Sequence, residues 1–507
     1  MEKRTFSIIF SAILLFFGMG TVTQAQAAEK MEESWQDESI YYVMIDRFNN
    51  GDPNNDTDVD SNDPLAYHGG DFKGVSLQLD YIKDMGFTTI ALSPIFDNEG
   101  KGYHGYWIND FKKTDEHFGS LSEFKKLVNE AHKRGLKVIV EFPANSVGPN
   151  HPWLKDATKQ DWFNPNQEMD KEKAWVDGLP DLNQENPEVR EYLIDVAKWW
   201  VNETGIDGYK LDRIQHVPAS FWKDFTKELK TDTPDLFLLG DAEGINNAEG
   251  YSNTGIDGFL DYSANPVLRT GFAKPDQSLD ELFTILDKNK QQFDSPNLMG
   301  TFMDNQRMVR FTHEAVVNNL HPGSRWKLAL TYLFTAPGIP VVYYGSEIAL
   351  EGGAGDDNRK QMDFRTDKDL VDYITKLGEL RNQMPSLTKG TMEKLYSKNG
   401  MIVYKREFQG ELTVIAINNT SKSQNVIIPA AKIAKDKELR GLLMDDLTKE
   451  ENGEYKLILD RDEAEIYVVA QKSGLNIPYF VVMGSVYLLF FGFIVILLKR
   501  RKRKTNE

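Results

Sequence analysis

The sequence predicts an α/β fold: a (β/α)8 TIM barrel with a small inserted domain after its third strand and an all-β domain behind it. Three observations predict this. Eight short apolar runs alternate with helical patterns through most of the 507 residues. Polar clusters stand at the C-terminal ends of several runs, where a barrel carries its site. From about Pro385 the helical patterns give way to short alternating strands.

The eight runs are Ile40–Ile45, Thr88–Leu92, Lys137–Phe142, Gly208–Leu211, Leu236–Leu239, Gly258–Leu260, Leu298–Phe302 and Pro340–Tyr344. Amphipathic patterns at Leu121–Arg134, Pro187–Asn202 and Arg325–Phe334 supply crossover helices. A doubly wound open sheet is the fallback, and no Gly-rich phosphate fingerprint supports it. The connection from about 143 to 185 is rich in Pro, Asn, Asp and Trp and too long for a simple loop, so it reads as the inserted domain. The barrel is expected over 28–385. The all-β domain follows over 386–472, with strands at Met401–Arg406, Leu412–Asn418 and Glu465–Val469.

Both ends carry membrane signals. Lys3-Arg4, the apolar run Phe6–Met19 and Ala25-Gln26-Ala27 read as a secretory signal over 1–27. Ile477–Leu498 is uncharged and long enough to span a bilayer, and Lys499-Arg-Arg-Lys-Arg-Lys504 follows at once. The positive-inside rule puts the tail 499–507 in the cytoplasm and the body outside, anchored in the cell membrane. The chain has no cysteine, which fits a bacterial surface, and its formal charge of −18 disfavours nucleic acid as a partner. Protein partners are left open.

The chemistry lies at the strand ends. Gly208-Tyr-Lys-Leu-Asp212, with His216 four residues later, puts a carboxylate at the end of a short buried strand. Leu238-Leu-Gly-Asp-Ala-Glu243 places Asp241 in the same position on the next strand, and Thr301-Phe-Met-Asp-Asn-Gln-Arg307 ends a third. Val138-Ile-Val-Glu-Phe-Pro-Ala-Asn-Ser146, Tyr103-His-Gly-Tyr-Trp107, Leu179-Pro-Asp-Leu-Asn183, Tyr343-Tyr-Gly-Ser-Glu347 and Asp357-Asn-Arg359 complete the set. Together, in this order, these motifs resemble the α-amylase family, glycoside hydrolase family 13, over about residues 38 to 470. The resemblance implies action on α-glucans such as starch or maltooligosaccharides, with Asp212 as nucleophile and Asp241 at the acid position. It implies a sugar site of His104, Tyr106, Lys210, His216, Asn305, Arg307 and Arg359.

Six positions depart from the family pattern. Lys210 replaces an Arg and Asp241 a Glu, leaving Glu243 as a substitute acid. Gln306 and Ser146 replace sugar-contacting histidines. Arg307 replaces the third carboxylate, which reverses the sign of charge beside a cationic transition state. In the same motif as Ser146, Glu141 stands for an Asp. The expectation is a glucan-shaped cleft with hydrolytic power weakened or lost. The alternative is a working retaining glycosidase or transglycosylase using Asp212 and Asp241.

Calcium is the expected cofactor. Asn50-Gly-Asp-Pro-Asn-Asn-Asp56 and Gly69-Gly-Asp71 offer hard oxygen donors from Asn50, Asp52, Asn55, Asp56, Gly69 and Asp71. A second family site would use Asn145, Asp181 and the His216 carbonyl.

Overall fold

The structure is a computed structural model and describes residues 34–164, 178–244, 247–366, 368–473 and 477–504. The expected signal sequence and part of the inserted segment lie outside the described residues.

Eight parallel strands form the barrel: β1 (Ile40–Val43), β2 (Thr89–Leu92), β3 (Lys137–Pro143), β4 (Gly208–Asp212), β5 (Phe237–Gly240), β6 (Gly258–Phe259), β7 (Gly300–Phe302) and β8 (Ile339–Tyr343). They pair in the order β6-β5-β4-β3-β2-β1-β8-β7. A parallel bridge between Leu260 and Gly300 joins the two ends, which closes the ring and excludes the open sheet. Nearly every strand residue is buried because helices cover the outer face and packed side chains fill the interior. Gly208 lets β4 approach β5 closely: a Cβ there would lie 2.2 Å from the Phe237 carbonyl oxygen.

The helix Leu121–Lys133 shows how local sequence sets an element. Ser120 accepts from the Glu123 amide, and the Glu123 carboxylate accepts from the Ser120 amide at 2.8 Å, a reciprocal cap. Phe124, Leu127, Val128 and Ala131 then form one buried stripe against the barrel.

Parallel register positions the site. Glu141 on β3 pairs with Lys210 on β4, which pairs with Leu239 on β5. Side chains alternate along a strand, so Lys210 and Asp212 share a face, as do Leu239 and Asp241. Asp241 follows β5 directly, and its amide donates to the Leu211 carbonyl at 2.8 Å. Arg213, just after the nucleophile position, is held in the left-handed region at φ 39°, an uncommon conformation for a non-glycine residue.

The second domain is a sandwich. A six-stranded sheet runs β9 (Thr391–Lys398), β10 (Met401–Phe408), β11 (Glu411–Asn418), β16 (Glu463–Gln471), β13 (Lys437–Gly441), β14 (Leu447–Lys449). The pair β12 (Gln424–Pro429) and β15 (Glu454–Leu459) packs on it through Val426, Ile428, Tyr455 and Leu457. Buried Arg325 of the barrel ties the domains, donating to Asn419 at 2.7 Å and pairing with Asp462 at 2.5 Å. One more helix, Ile477–Lys504, is the only described helix long and apolar enough to cross a membrane.

Candidate functional site

The C-terminal ends of β3, β4 and β5 bring three carboxylates together. Oxygens of Glu141, Asp212 and Asp241 lie within 4.8 Å of one another, and all three side chains are buried. Two cations neutralise most of that charge. Lys210 Nζ sits 3.0 Å from Glu141 and 2.6 Å from Asp241. Arg307 reaches into the same centre: it donates to Asp212 Oδ1 and lies 3.5 Å from Asp241 and 3.9 Å from Glu141. The guanidinium therefore faces the carboxylates instead of solvent.

The electrostatics follow from this packing. Burial raises the Asp212 pKa, but the Arg307 and Lys210 charges more than offset it and hold the carboxyl below its usual range. Glu141 goes the other way, since its burial outweighs Lys210. Lys210 is pushed down by burial and up further by Asp241 and Glu141, so it stays protonated. A general acid needs a protonated carboxyl aimed at the leaving oxygen. Asp241 instead accepts from Lys210, from Arg307 and from the Tyr262 hydroxyl at 2.8 Å. Both of its carboxylate oxygens are thus engaged as acceptors.

Glu141 is the hub beneath the site. It accepts from Lys210, from Tyr42 at 2.5 Å and from Tyr106 at 2.8 Å. Gln306 donates to the Tyr106 hydroxyl at 2.7 Å, while its own Oε1 is buried without a protein partner, as is Asp212 Oδ2. Those two oxygens can accept from a ligand hydroxyl. Asn305 donates to the Tyr262 hydroxyl at 3.1 Å and accepts from the Arg307 amide, fixing the turn that aims Arg307 inward. Asp304 does not substitute for the missing carboxylate: it accepts from Arg269 and from the Phe311 amide.

The other expected sugar contacts divide. His104 is buried, and burial with the nearby Arg359 and Arg47 charges keeps its ring neutral. Arg359 is spent inward, on Tyr103 at 2.9 Å, on the Gln306 carbonyl at 3.1 Å and on Asp356. His216 lies exposed at the end of a short 3-10 turn, and Glu243 is half-buried. Tyr42 and Tyr262 belong to the site but were not among the expected residues. Their signal was a hydroxyl on an inward strand position and a tyrosine two residues beyond a strand end.

The oxygen-rich loop is compact. The Asn50 amide donates to both oxygens of Asp56 at 2.9 Å, and a Cβ added at Gly69 would lie 2.7 Å from Asp56, so the three converge. Asn55 donates to the His117 carbonyl at 2.8 Å and leaves Oδ1 buried without a partner. Asp52 turns toward Asn54, and Asp71 caps a helix through the Gly74 amide while accepting from Gly51 and Asp52 amides. At the second place, Asn145 Oδ1 is likewise buried without a partner, and Asp181 accepts from Asn164 at 2.6 Å across a bridge to Ser146. Both orphaned amide oxygens suit a hard cation.

Comparison with known proteins agrees with the geometry. The profile for the alpha amylase catalytic domain matches residues 42–386, and that for the alpha-amylase C-terminal domain matches 390–467. The chain is 32% identical to a Beta/alpha-amylase of Paenibacillus polymyxa, covering 86% of itself but only 38% of that protein. It is 30% identical to a cyclomaltodextrinase of Thermoanaerobacter pseudethanolicus, covering 79% of itself and 74% of that protein. Among solved structures, an Anoxybacillus α-amylase is 53% identical with a TM-score of 0.85, over 88% of this chain and 100% of that one. A Geobacillus thermoleovorans α-amylase complexed with acarbose is also 53% identical, with a TM-score of 0.83, over 87% and 100%. The closed barrel, the strand-end carboxylates and these matches together show that the chain belongs to the α-amylase family.

Proposed function

We propose that the protein is an extracellular, membrane-anchored member of this family that binds α-glucans and hydrolyses them weakly or not at all. The observation that carries the reading is the Arg307 guanidinium on the Asp212 carboxylate, at the centre of the three strand-end acids. The oxocarbenium-like transition state needs negative charge beside the anomeric carbon and a free nucleophile. Here the nucleophile is clamped and a cation stands where the family has a third carboxylate. Asp212 Oδ2 and Gln306 Oε1, buried and without a protein partner, remain as acceptors at this centre. The relatives named above, an acarbose complex among them, support an α-glucan as the ligand class.

In this reading Asn50, Asn55, Asp56 and Gly69 hold calcium, with Asn145 and Asp181 as a second site. The ion would neutralise loop carboxylates and fix the loops bordering the cleft. The segment 1–27 directs export, the helix from Ile477 holds the chain in the membrane, and the basic tail lies in the cytoplasm.

A second reading is a working retaining glycosidase or transglycosylase using Asp212 and Asp241. Carboxylate oxygens within 4.8 Å suit a retaining geometry, and 53% identity to α-amylases favours it as well. Reducing-sugar release from maltooligosaccharides by the full chain, beside Asp212→Asn, separates the two. Binding without release supports the first reading. Release abolished in Asp212→Asn establishes the second.

A further inference from the structure

The C-terminal helix carries a charge pattern that catalysis does not use. It runs unbroken from Ile477 to Lys504, 28 residues. Its first 22, through Leu498, are uncharged and rise roughly 33 Å, slightly more than a hydrocarbon core of about 30 Å. Six consecutive cations, Lys499 to Lys504, then continue the same helix. Six successive positions at about 100° each occupy more than one full turn, so cationic positions encircle the axis at headgroup depth. On the other side of the apolar stretch, Gln471 to Pro478 contains a single charge, Lys472. The whole chain is strongly acidic, with 77 acidic against 59 basic residues, so the ectodomain repels an anionic membrane while the tail attracts it.

We propose that Lys499–Lys504 form a binding site for anionic phospholipid headgroups of the inner leaflet, gathering them around the base of the helix. The proposal rests on the membrane-anchored reading of this helix. The ligand chemistry is a phosphodiester headgroup with net negative charge, and the apolar run that ends at Leu498 holds the cations at the lipid phosphates. A helix that only needed a stop signal could end on one or two cations. Six in succession strengthen the attraction, each cation near the surface contributing about fivefold.

The chain has no cysteine, so Asn506→Cys gives a single attachment point for a donor dye. The full chain carrying it is reconstituted into vesicles of phosphatidylcholine with one-fifth phosphatidylglycerol. Acceptor dye is placed on either lipid in parallel samples. Energy transfer to labelled phosphatidylglycerol is expected to exceed that to labelled phosphatidylcholine by on the order of threefold in 0.1 M salt. It should fall toward parity near 1 M, where the Debye length is about 3 Å. The triple change Arg500→Gln, Arg501→Gln, Arg503→Gln should keep insertion and lose most of the preference. Equal transfer to both lipids by inserted protein overturns the proposal, as does a preference unmoved by the triple change. Failure to float with vesicles of either composition overturns the membrane reading itself.

Discussion

Arg307 sets the sharpest expectation. The guanidinium contacts Asp212 and stands 3.5 Å from Asp241, so it lies roughly 5 Å from where an anomeric carbon would react beside Asp212. At ~5 Å and an effective dielectric of ~20, one unit charge is worth roughly 3 kcal/mol against a developing cation. Arg307→Gln removes that penalty and releases the nucleophile, which should raise turnover by about two powers of ten. Arg307→Asp adds a favourable anion as well, for about 6 kcal/mol, or between four and five powers. The second change carries a cost, because the new carboxylate joins Glu141, Asp212 and Asp241 with Lys210 as the remaining close cation. Repulsion in so buried a cluster destabilises by about 3–5 kcal/mol. The Gln variant adds no new charge and is therefore the cleaner probe, assayed with an aryl maltoside at a temperature where its own melting curve shows it folded. A folded Gln variant no faster than the parent would refute the electrostatic explanation. The barrier would then lie with Asp241, and Asp241→Glu would be the change that raises the rate.

Three further outcomes are expected. Lys210→Met leaves Glu141 and Asp241 without their closest cation and should cost about 3–5 kcal/mol, read as a lower urea midpoint at unchanged slope. His151 is buried, accepts from the Trp153 amide and has its pKa lowered by burial from 6.5 to about 4. A depressed histidine contributes stability that is complete above pH 6.5 and lost as pH falls toward 4. The loss should be about 2 kcal/mol after partial solvent screening, seen as an NMR titration near 4 and a shallower acid transition in His151→Asn. Chelator should lower Tm if the Asn50–Asp56 loop holds calcium, and Asp56→Ala should show the lower Tm with or without chelator.

Much of this molecule was legible in the sequence. Parallel strands buried on both faces must be apolar runs, which is why all eight were found. Their ends moved by one or two residues, as where Ile45 left β1, because neighbouring hydrogen bonds decide termination. Asp212, Asp241, Lys210 and Arg307 stood out as charges at strand ends. Glu141 did not declare its role, since its position opposite Lys210 comes from register between strands far apart in sequence. Tyr42 and Tyr262 did not stand out, because only the folded barrel brings their hydroxyls onto Glu141 and Asp241. Arg359 carries the motif of a sugar contact, yet its guanidinium is consumed by Tyr103, Asp356 and the Gln306 carbonyl. Side-chain direction at such positions is a tertiary outcome that spacing does not encode.

The most direct measurement of the clamped nucleophile is intact-mass spectrometry of the full chain after exposure to 5-fluoro-α-maltosyl fluoride, which traps the glycosyl-enzyme of a retaining enzyme. With Asp212 held by Arg307, the protein should emerge unlabelled while Arg307→Gln gains one glycosyl adduct. A stoichiometric adduct on the unmodified protein, mapped to Asp212, would contradict the clamp and establish a working retaining glycosidase.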